Sequence, residues 1–294
     1  MPMILGLPFL ACLILTGIHV YLGIHIVRRG VIFVDLALAQ VAALGATVAL
    51  LIGYDLSDRA AYFLSLGFTG AGAVIFSLTR QKREKVPQEA IIGIVYVVSA
   101  AGAILVLDRA PGGAEHIRAL LVGNILTVTV KDIVDTGILY AVVGLFHWVF
   151  RNPFLEITFD QERMQAAGRS IYLWDFLFYL SFGLIVTSSV HLAGVLLVFA
   201  FLVVPAVGSL LFMETLGRRL ALGWGIGGVS SVLGLWASYA YDLPTGATVV
   251  CAFGLVLVLL SNVKWLYGVY TRKCIRSSPS PASRWPPTGR PPWN

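Results

Sequence analysis

Long apolar runs, broken at intervals by short charged or proline-bearing stretches, dominate the chain. Residues 1–27 contain no Asp, Glu, Lys or Arg, and residues 36–54, 60–79 and 90–107 repeat the pattern. Residues 136–150 form a shorter run that extends back to about Ile133. Residues 176–213 have room for two helices, and the polar stretch Thr187-Ser188-Ser189 with His191 predicts the break between them. Residues 220–241 and 243–263 complete the set, parted around Asp242 and Pro244. A bilayer core about 30 Å thick is crossed by roughly 20 helical residues. The pattern therefore predicts an all-α, polytopic membrane protein of nine spans. The first run has no basic residue before Arg28, so it is read as a span and not as a cleaved leader.

Composition agrees. Hydrophobic residues make up 58 % of the 294 positions and charged residues 12 %, about half the usual share of charge. So little charge could not cover the surface of a soluble enzyme or a nucleic-acid-binding domain, and no nucleic-acid partner is expected. The net charge of +6 has another explanation in its distribution. Arg28 and Arg29, then Arg80, Lys82, Arg83 and Lys85, then Arg151, Arg163 and Arg169, then Arg218 and Arg219 fall in alternate loops. With Lys264, Arg272, Lys273, Arg276, Arg284 and Arg290 they make 17 of the 21 basic residues; Arg59, Arg109, Arg118 and Lys131 are the rest. The positive-inside rule then places the N-terminus outside and the C-terminus in the cytoplasm. Two regions result: a transmembrane part over residues 1–276 and a Pro/Ser-rich tail over 277–294, whose prolines cannot propagate a helix and which is expected to be disordered. Cys12, Cys251 and Cys274 are too few and too scattered for a disulfide or zinc framework.

No lysine follows a glycine, so the phosphate-cradling GxxxxGK loop is absent, as are HExxH and GxSxG. A polytopic chain without catalytic signatures reads as a transport component and not an enzyme. It is either part of a larger transporter or a stand-alone secondary transporter or channel for a small cation. The second alternative needs intramembrane charge to couple to a gradient, and Asp35 is the candidate.

Four segments carry a resemblance. They are Arg28-Arg29-Gly30 with Phe33 through Gln40 and Gly45; Leu121-Val122-Gly123-Asn124-Ile125-Leu126; Phe159-Asp160-Gln161-Glu162 running to Ala167-Gly168; and Gly194 through Val198 with Phe201 through Ala206, followed by Tyr241 through Thr248. In this order the chain resembles the membrane permease subunit of the metal-ion ABC importers, which take up zinc, manganese or iron. The resemblance implies a homodimeric permease in the cell membrane, a separate cytoplasmic ATP-binding-cassette ATPase dimer and an extracellular metal-binding protein. It implies transport of a divalent metal as substrate by alternating access, with no permanently bound cofactor and ATP hydrolysis on the partner chain.

Site residues follow. Asp160, Glu162, Arg163, Ala167 and Gly168 match the family's segment that couples to the ATPase; locally, Asp160 is a plausible N-cap and Gly168 a helix stop. Glu214–Arg219 is a second basic-side loop that could touch the ATPase or anchor the chain. Asp35 and Gln40 are the candidates for the metal pathway. Family members often carry an Asp-x-x-x-His pair here, but in this chain Asp35 and Gln40 are five apart and there is no histidine. Five residues turn a helix by 140° net, so both cannot face one passage, and Gln40 takes the histidine's place when Gly45 is the anchor. Asp35 could instead be solvated near the interface. His19 and His25 fall on different faces of the first span, His147 beside Trp148 reads as interfacial, and His116 and His191 fall in outward loops. Gly223 and Gly227 form a GxxxG pair for close packing, and Pro205 is expected to kink the seventh span.

Overall fold

The computed structural model describes residues 2–55, 58–80, 86–108 and 125–277. Its elements are α1 (Pro2–Arg29), α2 (Val34–Leu51), α3 (Arg59–Leu78), α4 (Gln88–Leu107), a 3-10 turn (Ile125–Thr127), α5 (Val130–Val149), α6 (Arg151–Phe159), α7 (Gln161–Ala166), α8 (Ile171–Ala193), α9 (Val195–Phe212), α10 (Leu216–Tyr241) and α11 (Thr245–Ser277). Among the described residues there is no strand, and all the helices but α6 and α7 are long and apolar enough to cross a membrane. The described residues thus hold nine candidate spans, and the chain is a multi-pass membrane protein. The second resemblance segment is described only from Ile125, and the tail from residue 278 lies outside the described residues, as does His116.

Local chemistry sets several ends. Thr129 caps α5 in a reciprocal box with Asp132, so this span begins three residues earlier than the apolar pattern suggests. The break between α8 and α9 is not at the polar stretch. Ser189 Oγ donates to Ile185 C=O at 2.5 Å and His191 Nδ1 to Thr187 C=O at 2.8 Å. Polar side chains that bond back to their own helix do not end it. α8 therefore runs through them, and the break falls at Gly194, whose φ of 79° suits a residue without Cβ. This also puts His191 in the last turn of α8 and not in a loop. Pro205 lies inside α9, which continues as helix to Phe212.

Packing divides the spans into two sets of four. α2, α3 and α4 pack on one another, as do α9, α10 and α11. The helix that precedes each trio crosses to the other: α1 lies on α9 and α10, and α8 on α3 and α2. In chain order one span, α5, separates α1–α4 from α8–α11, so the second run of four crosses the membrane in the sense opposite to the first, an inverted arrangement familiar in transporters. Glycines permit the tightest crossings. A Cβ on Gly23 would strike the Leu202 carbonyl of α9, and one on Gly45 would lie 2.9 Å from the Leu64 carbonyl of α3. The GxxxG pair faces inward within the chain, Gly223 against Val20 and Gly227 against Thr16 of α1.

Candidate functional site

Two features stand out: the inner face of α2 and the end of the bundle where Arg29, Arg80 and α7 meet. On α2, Gln40, Ala43 and Thr47 lie on one face of the helix. They line a cavity of about 190 Å³ completed by Tyr96, Ala100, Ala103, Ile104 and Leu107 of α4, Val190 of α8 and Val195 of α9. Asp35 is not in that lining. It sits in the first turn of α2, 2 % exposed, with Oδ1 buried and lacking a hydrogen-bond partner. Asp35 is therefore not solvated. The 140° between the two positions sends one side chain into the cavity and the other into protein.

At the basic end, Asp160 caps α7 by accepting from the Arg163 N–H at 3.0 Å, and Gly168, with φ of 67°, turns the chain out of it. Glu162 and Ala167 are exposed, while Met164 is buried beneath the helix. Arg163 Nε lies 3.9 Å from Glu156 Oε1, and Arg169 Nη1 donates to Glu156 Oε2 at 2.7 Å, bracing the chain beyond α7 against α6. Beneath α7 is a cavity of about 520 Å³ lined by polar side chains that include Arg29, Arg80, Gln88, Glu89, Gln161 and Gln165. Of the second basic-side segment, Glu214–Arg219, only the first residues are loop: Arg219 is in the first turn of α10, buried, and its Nε donates to Met213 C=O at 2.9 Å.

The opposite end holds a cavity of about 460 Å³ lined in part by Tyr62, Asp132, Asp135, Thr136, Ser188 and His191. Among the described residues no three His, Cys, Asp or Glu side chains converge closely enough to hold a metal ion. The acidic groups make this mouth polar without making it a chelating centre.

Comparison with known proteins gives this geometry a context. Residues 3–264 match the ABC 3 transport family, a stretch that takes in eight spans and most of the ninth. The chain belongs to the ABC 3 transport family. Curated relatives include the "Manganese transport system membrane protein MntC" of Halalkalibacterium halodurans, 26 % identical over 90 % of this chain and 88 % of that protein. Another is a "Probable iron transport system membrane protein" of Haemophilus influenzae, 24 % identical over 87 % of this chain and 88 % of that one. Among solved structures, "PsaBC from Streptococcus pneumoniae in complex with Fab" superposes with a TM-score of 0.73 at 22 % identity, covering 87 % of this chain and 90 % of the other. That likeness shows a shared fold. The family read from the motifs is the one that the whole-chain match returns.

As a member of the ABC 3 transport family, the chain carries buried polar groups that reading along the sequence passed over. His147 is not interfacial. It is 2 % exposed, with Nδ1 3.2 Å from Tyr21 OH and Nε2 2.8 Å from Ser181 Oγ. His19 Nε2 lies 3.1 Å from Ser189 Oγ, which also pairs with Tyr140 OH. His25 Nδ1 lies 2.7 Å from Thr158 Oγ1. His19, His25 and His147 thus stitch α1 to α5, α6 and α8 as buried polar contacts. Asp175, which borders the apolar run 176–213, is fully buried, so Asp35 is not the sole buried carboxylate among the described residues. Sequence spacing could not have paired it, since its partners are 95 and 146 residues away.

Proposed function

We propose that the protein is the permease subunit of an ATP-driven importer of a divalent transition metal, with manganese, iron and zinc as the candidate ions. Family membership across residues 3–264 carries the reading, and relatives named for manganese and iron transport set the substrate class. Two copies of the chain enclose the path, an ATPase dimer binds at the basic end, and an extracellular metal-binding protein delivers the ion at the other. The basic end is cytoplasmic by the positive-inside rule. α7 is the segment that meets the ATPase, because it is short, exposed at that end and braced from below. A stand-alone secondary transporter would need no such segment.

This orientation predicts that reporters fused within residues 82–85 and at the C-terminus face the cytoplasm and one within residues 111–113 faces outward. A C-terminal reporter found outside would reverse the assignment.

Gln40 is the pathway residue in this reading and Asp35 is not, because Gln40 opens on a cavity between spans from both sets of four while Asp35 is absent from its lining. A neutral amide oxygen offers a cation a weak, transient ligand and leaves tight selection to the delivering protein. Removing one such interaction, about 1.4 kcal/mol, is a tenfold effect. Gln40→Leu is therefore expected to cut manganese uptake about tenfold in the assembled transporter, with Asp35→Asn the milder change. Normal uptake by Gln40→Leu together with abolished uptake by Asp35→Asn would move the role to the carboxylate.

A further inference from the structure

We propose that Arg29, Arg80 and Asp175 form the joint through which movement of α7 reaches the spans, which makes them positioning residues for transport. The inference rests on the reading of α7 as the ATPase-facing segment. α7 is held through the last turn of α6, and that turn is tied down at two points. Arg29, the last residue of α1, donates from Nη1 to Asp175 Oδ1 at 2.9 Å and from Nε to Thr158 Oγ1 at 3.0 Å. Arg80, just past α3, donates from Nη1 to the same Asp175 oxygen and from Nη2 to Ile157 C=O at 3.1 Å. Each guanidinium therefore spans the same two partners, the end of α6 and the start of α8. One comes from α1, which packs with α9 and α10; the other follows α3, which packs with α2 and α8. Both sets of four helices meet α6 here.

The chemistry suits a rigid strut. A guanidinium is planar, permanently charged and able to hold two partners at fixed angles. Arg29 is 1 % exposed and its Cζ lies 3.8 Å over the Phe178 ring. Thr158 Oγ1 in turn donates to Phe154 C=O at 3.1 Å, which makes His25 Nδ1 a second donor to that hydroxyl. Glu156 and Arg169 close the bracket on the far side of α7. α7 cannot then shift without moving the ends of α1 and α8. Stability alone does not explain the arrangement, since well-packed apolar residues would serve a buried cluster at least as well.

The test uses the transporter purified with its ATPase and binding protein in liposomes, with manganese(II) as the probe ion. Arg80→Gln removes both contacts of one strut, and Thr158→Val removes the hydroxyl that Arg29 Nε and His25 Nδ1 share while keeping the shape of the side chain. Both are expected to keep ATPase binding and hydrolysis near wild type while metal moved per ATP falls by roughly tenfold, within the usual range of coupling effects. Arg80→Lys retains the charge but is a single donor point, and is expected to remain uncoupled. Wild-type metal per ATP in both Arg80→Gln and Thr158→Val overturns the joint. So does full recovery in Arg80→Lys, or loss of ATPase binding in Thr158→Val, which would make the cluster a docking element. Glu162→Trp and Gly168→Leu serve as the separate arm. Intact ATPase binding and coupling in both would defeat the reading of α7 itself, whereas uncoupling there with none in the Arg80 and Thr158 variants would defeat the joint alone.

Discussion

Asp175→Ala is expected to be among the most destabilising single changes in the chain. Asp175 is fully buried and takes hydrogen bonds from two arginines of which one is 1 % and the other 13 % exposed. Removing it leaves Arg29 and Arg80 without the carboxylate that both of them bond. Breaking a buried ion pair by deleting one partner costs about 3–5 kcal/mol, because the remaining charge keeps its desolvation penalty and loses its compensation. That is a large part of the margin that holds a domain together. The measurement is thermal unfolding of the detergent-purified protein, with the fraction recovered as a monodisperse peak as a second readout. Replacing the whole cluster with apolar residues (Arg29→Met, Arg80→Leu and Asp175→Leu together) is expected to be less damaging to the fold than Asp175→Ala alone. An unchanged unfolding temperature in Asp175→Ala would show that water reaches the cluster.

Gly23→Ala is expected to produce the second large loss, although it adds a single carbon. The added Cβ would meet the Leu202 carbonyl and press on the Ala206 Cβ, 3.0 Å away. The main obstacle is backbone, which cannot turn aside as the tip of a long side chain can, so α1 and α9 must separate along their shared length. Overpacking costs about 1–3 kcal/mol in ordinary cores and more where nothing yields; about 3 kcal/mol is expected here. Gly225→Ala in α10 is the control. Nothing lies within 4 Å of the position its Cβ would take, and glycine inside a helix is itself about 0.5–1 kcal/mol worse than alanine. The control should be neutral or slightly stabilising in the same unfolding assay. Equal behaviour of the two variants would mean that α1 and α9 do not touch as the structure shows.

The spans were legible in the amino-acid sequence because membrane partition is a property of a run of about 20 neighbouring residues. The cap at Asp160 and the stop at Gly168 were legible for a similar reason: a cap needs only a side chain and an amide three residues on. The direction of the chain was inferred from the sorting of 17 of 21 basic residues, again without reference to any contact. The break expected near Ser188 falls instead at Gly194, because serine and threonine compete for backbone groups only where their hydroxyls are free to, whereas the buried Ser189 hydroxyl donates to Ile185 C=O of its own helix, which continues to Gly194.

What the tertiary structure alone decided are contacts between residues far apart in the chain. The Arg29–Asp175 pair closes a separation of 146 residues and the His19–Ser189 contact one of 170. Nothing near Arg29 distinguishes it from Arg28, yet one is buried against Asp175 and Thr158 while the other is not. The direction in which Gln40 points was likewise narrowed by helix geometry to two options and resolved by where α4, α8 and α9 leave a gap beside α2. A local pattern reports how each residue partitions between water and lipid. Which polar groups must pair once water is excluded depends on which helices lie side by side, and that is set by the packing of the whole bundle.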